Sequence, residues 1–327
     1  MICMHRLAIA TISLLPLAAS GGPPHPGTVK LFKDWAVGCD NGLTCTMASL
    51  VPGVPENSWP PVTVNLIRAP GAAGRFRMDV EGLNERSPSI VVDGRDYGTD
   101  AEVIAAAMAH GMAAEVKGTG RTFSLAGASA ALRYIDAMQG RSGTVTAIVA
   151  KGSGSASSVP TAPAVPMLSA RTLVPIPSKL DTSMLAAMRK LGDCEQPSDD
   201  LSLPPSVAKA GEGQRVVLLP CHSAPYNVGI AIFVLEGGKI RPAPFDAPVG
   251  FEDPGDATAN NIHEIVGGGI RDNRVMSFTK GRGLGDCGVQ QAFAWDGLSM
   301  RLARQFEMPD CRGNVGFIQT WRAEVRS

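Results

Sequence analysis

Residues 281–313 read GRGLGDCGVQQAFAWDGLSMRLARQFEMPDCRG, and this stretch indicates the fold more clearly than any other part of the chain. Apolar and polar residues alternate on both sides of the pair Asp296-Gly297, which is a two-residue turn signal, so the stretch predicts a β-hairpin. The expected apolar face consists of Phe293, Trp295, Met300, Leu302 and Phe306. Cys287 and Cys311 stand at the open ends. A disulfide between them would close the hairpin and contribute ~3 kcal/mol in the loop-entropy model.

The composition describes a turn-rich β protein that still has enough apolar residues for a core. Among 327 residues there are 37 Gly and 25 Pro, with 44% hydrophobic and 5% aromatic residues. This length favours two domains over a single core. Lys plus Arg and Asp plus Glu both number 30, so no net field attracts the chain to nucleic acid. We therefore expect no nucleic-acid partner.

The N-terminus has the pattern of a Sec-type signal peptide over residues 1–20. His5 and Arg6 precede an apolar run at 7–19, and small residues follow it. The run is shorter than the ~20 apolar residues that span a bilayer, and no later segment is long enough. The sequence therefore predicts a periplasmic protein, cleaved near Ser20, with no transmembrane segment after cleavage.

Cleavage of the signal peptide would remove Cys3 and leave six cysteines in the mature chain. An even number in an exported chain favours structural disulfides, and proximity along the chain selects the partners. The predicted pairs are Cys39–Cys45, Cys194–Cys221 and Cys287–Cys311. The cysteines lack the two-residue spacing of a zinc knuckle or a thioredoxin-type dithiol, and the histidines are scattered. We therefore predict no metal site and no cofactor.

The first half of the mature chain reads as an antiparallel meander with two helices. Strands are predicted over residues 30–39, 62–66, 76–80, 89–92 and 123–125. The run TDAE at 99–102 has the form of a capping box before a helix over 103–112. A second helix is predicted over 128–138, with Gly140 as its C-cap.

Residues 151–177 are rich in Gly, Ser, Ala and Pro, and we interpret them as a linker that proteases cut first. Asp181 is the predicted N-cap of a helix over 183–191. Besides the hairpin, strands are predicted over 215–219, 228–235, 262–265, 274–279 and 316–325. The predicted fold class is α+β with two domains. Residues 29–150 form an antiparallel sheet with two helices, and residues 178–327 form a mainly antiparallel, disulfide-bearing β-domain.

No stretch defines a catalytic, cofactor or metal site. The string GLGDCG at 283–288 matches G-x-G-x-x-G but lacks the strand and helix that a dinucleotide site needs. His222 and Ser223 are neighbours on a strand, so their side chains point to opposite faces. One loop offers oxygen ligands for Ca²⁺ without EF-hand spacing. These residues are Glu252, Asp253, Asp256, Asn260 and Asn261.

Four charged residues around the predicted Cys287–Cys311 bridge form a candidate interaction surface: Arg282, Asp286, Asp310 and Arg312. The plainer alternative is that they pair with one another and with backbone ends. Because function must be argued from a site, we favour a non-enzymatic envelope-associated binding protein with an unidentified macromolecular partner. The alternative is a hydrolase of an envelope polymer in which Asp286 and Asp310 serve as acid and base.

Several motifs, in order and spacing, resemble domain-of-unknown-function family 1176, exported proteins of Gram-negative bacteria. They are FKDWAVGCDNGLTC, LAGASAALRYIDAMQGRSGTVTAIVAKG, LGDC, LLPC, MSFTKGRGLGDCG, FAWDG and MPDCRGN. Residues 29–150 are also similar to the invasion-associated locus B family, which shares an early Trp and Cys and a late small-residue helix. Family 1176 has no established activity, so the resemblance implies compartment and architecture and no catalytic residue.

Overall fold

A computed structural model describes residues 22–53, 59, 61–83, 88–177, 180–195, 203–252 and 262–326. The predicted signal peptide at 1–20 and loop residues 253–261 lie outside these residues. Within them the chain forms three α-helices and several sheets, nearly all antiparallel, and the predicted α+β class is confirmed. In this part of the chain, no helix is both long and apolar enough to cross a membrane.

The first half opens with a five-stranded antiparallel sheet that follows chain order. Its strands are β1 Lys30–Phe32, β2 Trp35–Cys39, β3 Cys45–Ser49, β4 Thr63–Arg68 and β5 Phe76–Glu81. A four-stranded sheet follows, made of β6 Ile90–Val92, β7 Arg95–Asp96, β8 Ala113–Val116 and β9 Arg121–Ser124, in the order β7-β6-β8-β9. The helices are α1 Ala101–Met108 and α2 Ala128–Met138. One apolar core joins both sheets and both helices.

Trp35 lies at the centre of this core and is fully buried. Its ring meets Phe123 edge-on at 6.4 Å between centroids, and its Nε1 donates to the Ser124 carbonyl at 3.0 Å. The indole N–H is thereby satisfied, so burial of the large ring is favourable.

The predicted single strand over residues 30–39 is wrong, because the structure folds it into the β1–β2 hairpin. Lys33 adopts a positive φ of 53°, which turns the chain between the two strands. The apolar residues Phe32 and Trp35 are out of phase for one strand, and this turn is the reason.

The second half contains two larger sheets. The six-stranded sheet contains β11 Val174–Ile176, β12 Ser206–Lys209, β13 Gln214–Ala224, β14 Asn227–Glu236, β15 Lys239–Pro242 and β16 Glu264–Val266, with β16 paired to β14. The five-stranded sheet contains β17 Gly269–Arg271, β18 Arg274–Lys280, β19 Gly288–Trp295, β20 Met300–Met308 and β21 Ile318–Arg322. A short parallel pair, β10 Met167–Ser169 and β22 Glu324–Arg326, lies beside them.

Strand β13 is buried on both faces. Val216 and Leu218 pack in the core that contains Phe293 and Trp295 of the five-stranded sheet. The alternate residues Val217 and Leu219 pack in a second core with helix α3 Thr182–Leu191. The second half is therefore layered as helix, sheet and sheet, with Asp181 capping α3 as predicted.

The central hairpin forms as strands β19 and β20, but two of its details differ from expectation. The connection is a four-residue loop, with Trp295 paired to Met300, because the Asp296 carboxylate accepts the Leu298 and Ser299 N–H groups. Phe306 does not continue the apolar face. A bulge leaves Ala303 unpaired between the pairs Phe293–Leu302 and Ala292–Arg304, and this one-residue shift moves the later side chains of β20 to the other face.

The structure joins the same three cysteine pairs as the sequence predicts: Cys39–Cys45, Cys194–Cys221 and Cys287–Cys311. The first closes the β2–β3 turn, and the second ties the segment after α3 to β13. The third lies in a small core with Ala36 and Leu50 of the first half.

Residues 151–177, expected to be a linker, contain β10 and β11, and Val159 among them is 5% exposed. The two halves also touch directly, since strand β21 packs against β2 and β3. Arg312 donates to the Val51 and Lys33 carbonyls and pairs with Asp34. The domain boundaries drawn from the sequence stay a proposal.

Candidate anion-binding cleft

A cleft of about 1030 Å³ opens in the first half of the chain. Its walls are the β4–β5 turn, the β6–β7 turn, helix α1 and residues 141–151. Its basic lining residues are Arg68, Arg75, Arg95, His110, Arg141 and Lys151, and its acidic ones are Asp93 and Glu102. The arginines and lysine outnumber the carboxylates, so the cleft attracts anions.

Arg68, at the end of strand β4, forms one buried wall of the cleft, with only 1% of its side chain exposed. Its guanidinium donates to Asp136 at 3.0 Å, to Glu102 at 3.4 Å and to the Thr146 carbonyl at 2.7 Å. It also lies over the Phe76 ring, 4.7 Å from the centroid. The Arg68 Nε has no hydrogen-bond partner within the described part of the chain.

Asp136 of helix α2 holds this wall in place. Its carboxylate is fully buried and accepts the N–H groups of Ile148, Val149 and Ala150 besides the bond from Arg68. A buried carboxylate needs such partners, because removing its charge from water costs several kcal/mol or more. Asp136 therefore fixes both Arg68 and the loop that follows α2.

Arg141 is a buried cation without a carboxylate partner among the described residues. It is 0% exposed, and its guanidinium donates to the Gln139 side chain and to the carbonyls of Ala69, Gly71 and Gly74. Its Nη1 has no partner in this part of the structure. Burial, together with the nearby Arg68 charge, lowers the pKa of Arg141 to about 10, although the charges of Glu102 and Asp136 act to raise it. Arg141 thus stays charged at neutral pH and leaves one donor free.

Glu102 links helix α1 to the cleft. Its carboxylate accepts the Phe76 N–H at 2.9 Å and contacts Arg68, so it does not complete the predicted capping box. Asp100 is the N-cap instead and accepts the Glu102 N–H at 2.9 Å. The capping-box prediction is therefore wrong at residue 99, because the side chain of Glu102 is engaged elsewhere.

The rim of the cleft is cationic and partly apolar. Arg95 lies 5.2 Å above the Tyr97 ring, and Lys151 is exposed. Within the described ranges neither has a carboxylate partner, whereas Arg75 lies 3.5 Å from Asp100 in an exposed pair. The exposed side chains of Val103 and Val145 also line the cleft.

The charged residues predicted around the third disulfide are engaged in contacts within the chain. The Arg282 guanidinium donates two hydrogen bonds to the buried Asp286 carboxylate, and the Gly313 N–H donates to the same carboxylate at 2.7 Å. Burial acts to raise the pKa of Asp286, but these bonds outweigh it and hold the pKa below its ordinary value. Arg312 bonds to the first half and lies 3.7 Å from Asp310. Their role as an interaction surface stays a prediction.

His222 and Ser223 do not form a catalytic pair in this arrangement. His222 Nδ1 lies 2.7 Å from Glu264 and its Nε2 lies 3.1 Å from the Asp193 carbonyl, while the Ser223 N–H donates to Glu195. Among the described residues one group with metal-ligand atoms close together occurs, and it consists of Cys221, His222 and Glu264. Cys221 is bonded to Cys194, so it offers no thiolate.

Two other weak motifs can be placed in part. Residues 283–287 lie in the turn before strand β19 and Gly288 begins that strand, which is not the strand-to-helix setting of a dinucleotide site. In the candidate calcium loop only Glu252 is described, and it accepts the Val249 N–H and lies 2.8 Å from His263 Nδ1. The absence of a cofactor stays a prediction.

The arginines of the cleft were missed by sequence reasoning. Arg68 ends the strand TVNLIR, and Arg141 follows the predicted helix C-cap in QGR. For Arg68, the signal that could have indicated a site is its position as a charged residue at the end of a largely apolar strand. Nothing local to residue 141 shows that its side chain is buried.

Comparison with known proteins places the chain in a family defined by sequence alone. The family model described as "Protein of unknown function (DUF1176)" matches residues 29–325, and the chain belongs to that family. It is also 25% identical over 334 residues to "Uncharacterized protein YpfG" of Escherichia coli (strain K12), covering 91% of this chain and 92% of that protein. No solved structure matches. The resemblance to the invasion-associated locus B family stays a prediction.

Proposed function

We propose that this chain is an exported, non-enzymatic binding protein whose cleft in the first half holds an anionic ligand of the cell envelope. The observation on which the proposal depends is that Arg141 is buried without a carboxylate partner among the described residues. A buried guanidinium with no carboxylate partner is costly to the fold unless an anion completes its contacts. Its Nη1 and the Nε of Arg68 are buried donors that the described part of the chain leaves without a hydrogen-bond partner.

The compartment is supported by the cysteines. Three disulfides fit a protein that folds outside the reducing cytoplasm. The signal-peptide pattern at residues 1–20 points to export, and the periplasm is the compartment we propose.

Binding is favoured over hydrolysis because both carboxylates of the cleft are already engaged. Glu102 accepts from Phe76 and Arg68, and Asp93 accepts the N–H groups of Met112 and Ala113. A glycoside hydrolase needs one carboxylic acid with a raised pKa and a second carboxylate free to act. The lining of the cleft therefore suits holding a charge better than transferring a proton.

The ligand chemistry follows from the guanidinium groups. Arginine presents its N–H donors in a planar fork that matches carboxylate and phosphate oxygens. A volume of about 1030 Å³ accommodates several sugar or phosphate units. We therefore propose that the ligand is an oligomeric anion. Carboxylate and phosphate probes distinguish which of these two groups carries its charge.

Calorimetric titration tests the proposal with trigalacturonate and tripolyphosphate, and with uncharged maltotriose as the neutral control. The double variant R95A/K151A removes two rim cations that make no ion pair within the described residues. We expect it to bind the better anion about ten-fold more weakly, which corresponds to roughly 1.4 kcal/mol. The matched control R121A/R133A removes two exposed cations outside the cleft and should bind as wild type.

Three results contradict the proposal. They are equal binding of maltotriose, no binding of either anion, and wild-type affinity in R95A/K151A.

A further inference from the structure

The outer face of the five-stranded sheet carries a second set of arginines, in the half of the molecule that lacks the cleft. Two depressions, of about 150 and 570 Å³, lie on this face and share the lining residues Arg274, Arg304 and Phe306. Arg271 lines the smaller one, and Arg322 and Arg326 line the larger one. We call these six residues the arginine face.

Two pairs of these arginines stand directly opposite each other across strands. Arg271 is the register partner of Arg274, and Arg304 is the register partner of Arg322. Like charges in directly opposed positions destabilise a sheet. Two such pairs on one face therefore lower the stability of the sheet. A bound anion would screen the repulsion between the arginines and restore that stability.

Two acidic residues, Asp272 and Glu324, line the same depressions, and the five arginines outnumber them, so the charges on this face are only partly compensated within the described part of the chain. Arg322 Nε lies 2.7 Å from the buried Asp40 carboxylate, and Arg274 Nη1 donates to the Asp272 carbonyl at 3.2 Å. The Nε of Arg274 is buried without a partner. Arg271 and Arg304 are exposed and form no ion pair among the described residues.

The arrangement of the arginines selects the shape of the ligand. They run across the five-stranded sheet from β17 and β18 to β20 and β21, and Arg326 lies on β22 of the short parallel pair. Five strands at a spacing of ~4.8 Å make this track about 20 Å long. A single ion would fill one point of such a track, whereas an extended chain with repeated charges meets several arginines at once.

We infer that the arginine face binds a linear polyanion, with carboxylates or phosphates repeated along the chain. Each guanidinium fork takes one or two oxygens, and Phe306 packs against the apolar part between charges. This site is separate from the cleft, so it does not rest on the proposed function of the cleft.

Retention on immobilised polygalacturonate and on immobilised long-chain polyphosphate tests the inference and distinguishes the two charge types. The double variant R271E/R304E reverses two exposed charges of the face. The matched control R121E/R133E changes the net charge equally, at exposed positions of the first half. We expect R271E/R304E to lose about ten-fold or more in affinity for the preferred polymer, a loss of roughly 1.4 kcal/mol, while the control stays near wild type.

Three outcomes overturn the inference, and a fourth separates this site from the cleft. Equal losses in the two double variants would mean that net charge alone drives retention. Binding of galacturonate monomer as tight as the polymer would exclude a linear track. If wild type ignores both polymers but binds vesicles of anionic phospholipid, the face is a membrane contact. Loss of trigalacturonate binding in R95A/K151A with polymer retention intact would separate this site from the cleft.

Discussion

Asp136 is the residue on which the buried arginine network of the cleft depends. It offers a full negative charge to Arg68 and fixes the three N–H groups that shape residues 148–150. Arg141, in contrast, has carbonyl and amide partners and no carboxylate among the described residues. Asp136 and Glu102 balance the two arginines in charge, but both carboxylates contact Arg68, so Arg141 has no ion pair of its own in the described part of the chain and an anion in the cleft can supply one.

The variant Asp136→Asn should lower the free energy of unfolding by ~3–5 kcal/mol, because it removes the closer and fully buried of the two carboxylates that Arg68 contacts. Urea denaturation measures this change. The matched control is Asp79→Asn, which breaks an exposed pair with Arg77 and should cost ~0–1 kcal/mol. Equal effects of the two substitutions would show that the network is not a buried ion pair.

His222 gives a prediction of pH dependence. Burial acts to lower the pKa of His222, but the hydrogen bond to Glu264 and its charge outweigh burial and hold the pKa above its ordinary value. A raised folded-state pKa means that the pair stabilises the protein fully below the unfolded-state pKa of about 6.5. That contribution is lost as the pH rises through the folded-state pKa.

An NMR titration of the His222 imidazole should therefore give a pKa above about 6.5. The variant Glu264→Gln removes the negative charge that raises the pKa of His222, while burial continues to lower it. The pKa of His222 should therefore fall in that variant. The stability of that variant should differ less from wild type as the pH rises. An unchanged His222 pKa in Glu264→Gln would contradict this account of the pair.

At the scale of elements, the clearest consequence of the structure is the opposition of Arg304 on β20 and Arg322 on β21. The variant Arg304→Gln removes the repulsion and should raise the free energy of unfolding by ~0.2–1 kcal/mol. The gain should shrink in high salt, since salt screens exposed charges. The control Arg133→Gln, on the exposed side of helix α2, should change stability little. A loss of stability in Arg304→Gln would show that this arginine supports the sheet.

The elements themselves were largely predictable where local chemistry decides them. Asp181 caps α3, and helix α2 spans the predicted residues with Gly140 at a positive φ just beyond it. The alternation around Phe293 and Trp295 predicted the hairpin. Phe306 was placed on the wrong face because a bulge changes the register without any mark in the apolar pattern. The out-of-phase apolar residues Phe32 and Trp35 indicated a break in the first strand, but nothing local placed the turn at Lys33.

The candidate site was less predictable than the fold because it depends on contacts between distant residues. Arg68 and Asp136 are 68 positions apart, and Arg141 meets carbonyls about 70 positions away. No spacing rule joins such residues, and their types are common on surfaces. Only the folded arrangement shows that both arginines are buried beside one opening.

At the scale of the whole molecule, the third disulfide lies where the two halves meet. Cys287 packs in a small core with Ala36, Ala48 and Leu50 of the first half, and Met308 and Ile318 complete it. Two independently folding domains, as proposed from the sequence, would confine the effect of losing this bridge to the second half. The packing leads to a different expectation, because both halves contribute to the core around the sulfur atoms.

The variant C287S/C311S should therefore destabilise both halves, by the ~2–5 kcal/mol that loss of a native disulfide in a small secreted domain costs. Hydrogen exchange measured along the chain reports each half separately. Faster exchange is expected in β2 and β3 as well as in β19 and β20. Wild-type protection of β2 and β3 would show instead that the halves fold independently, as the proposed boundaries at 29–150 and 178–327 imply.

Ligand titration followed by NMR of the arginine Nε–Hε groups tests the central claim most directly, because it reports on the two buried guanidinium groups themselves. On addition of trigalacturonate or tripolyphosphate, the account predicts that the signals of Arg68 and Arg141 shift together while that of Arg133, exposed on α2, does not. Signals of Arg68 and Arg141 that stay unmoved at saturation, or that shift no more than that of Arg133, would contradict the assignment of an anion to the cleft.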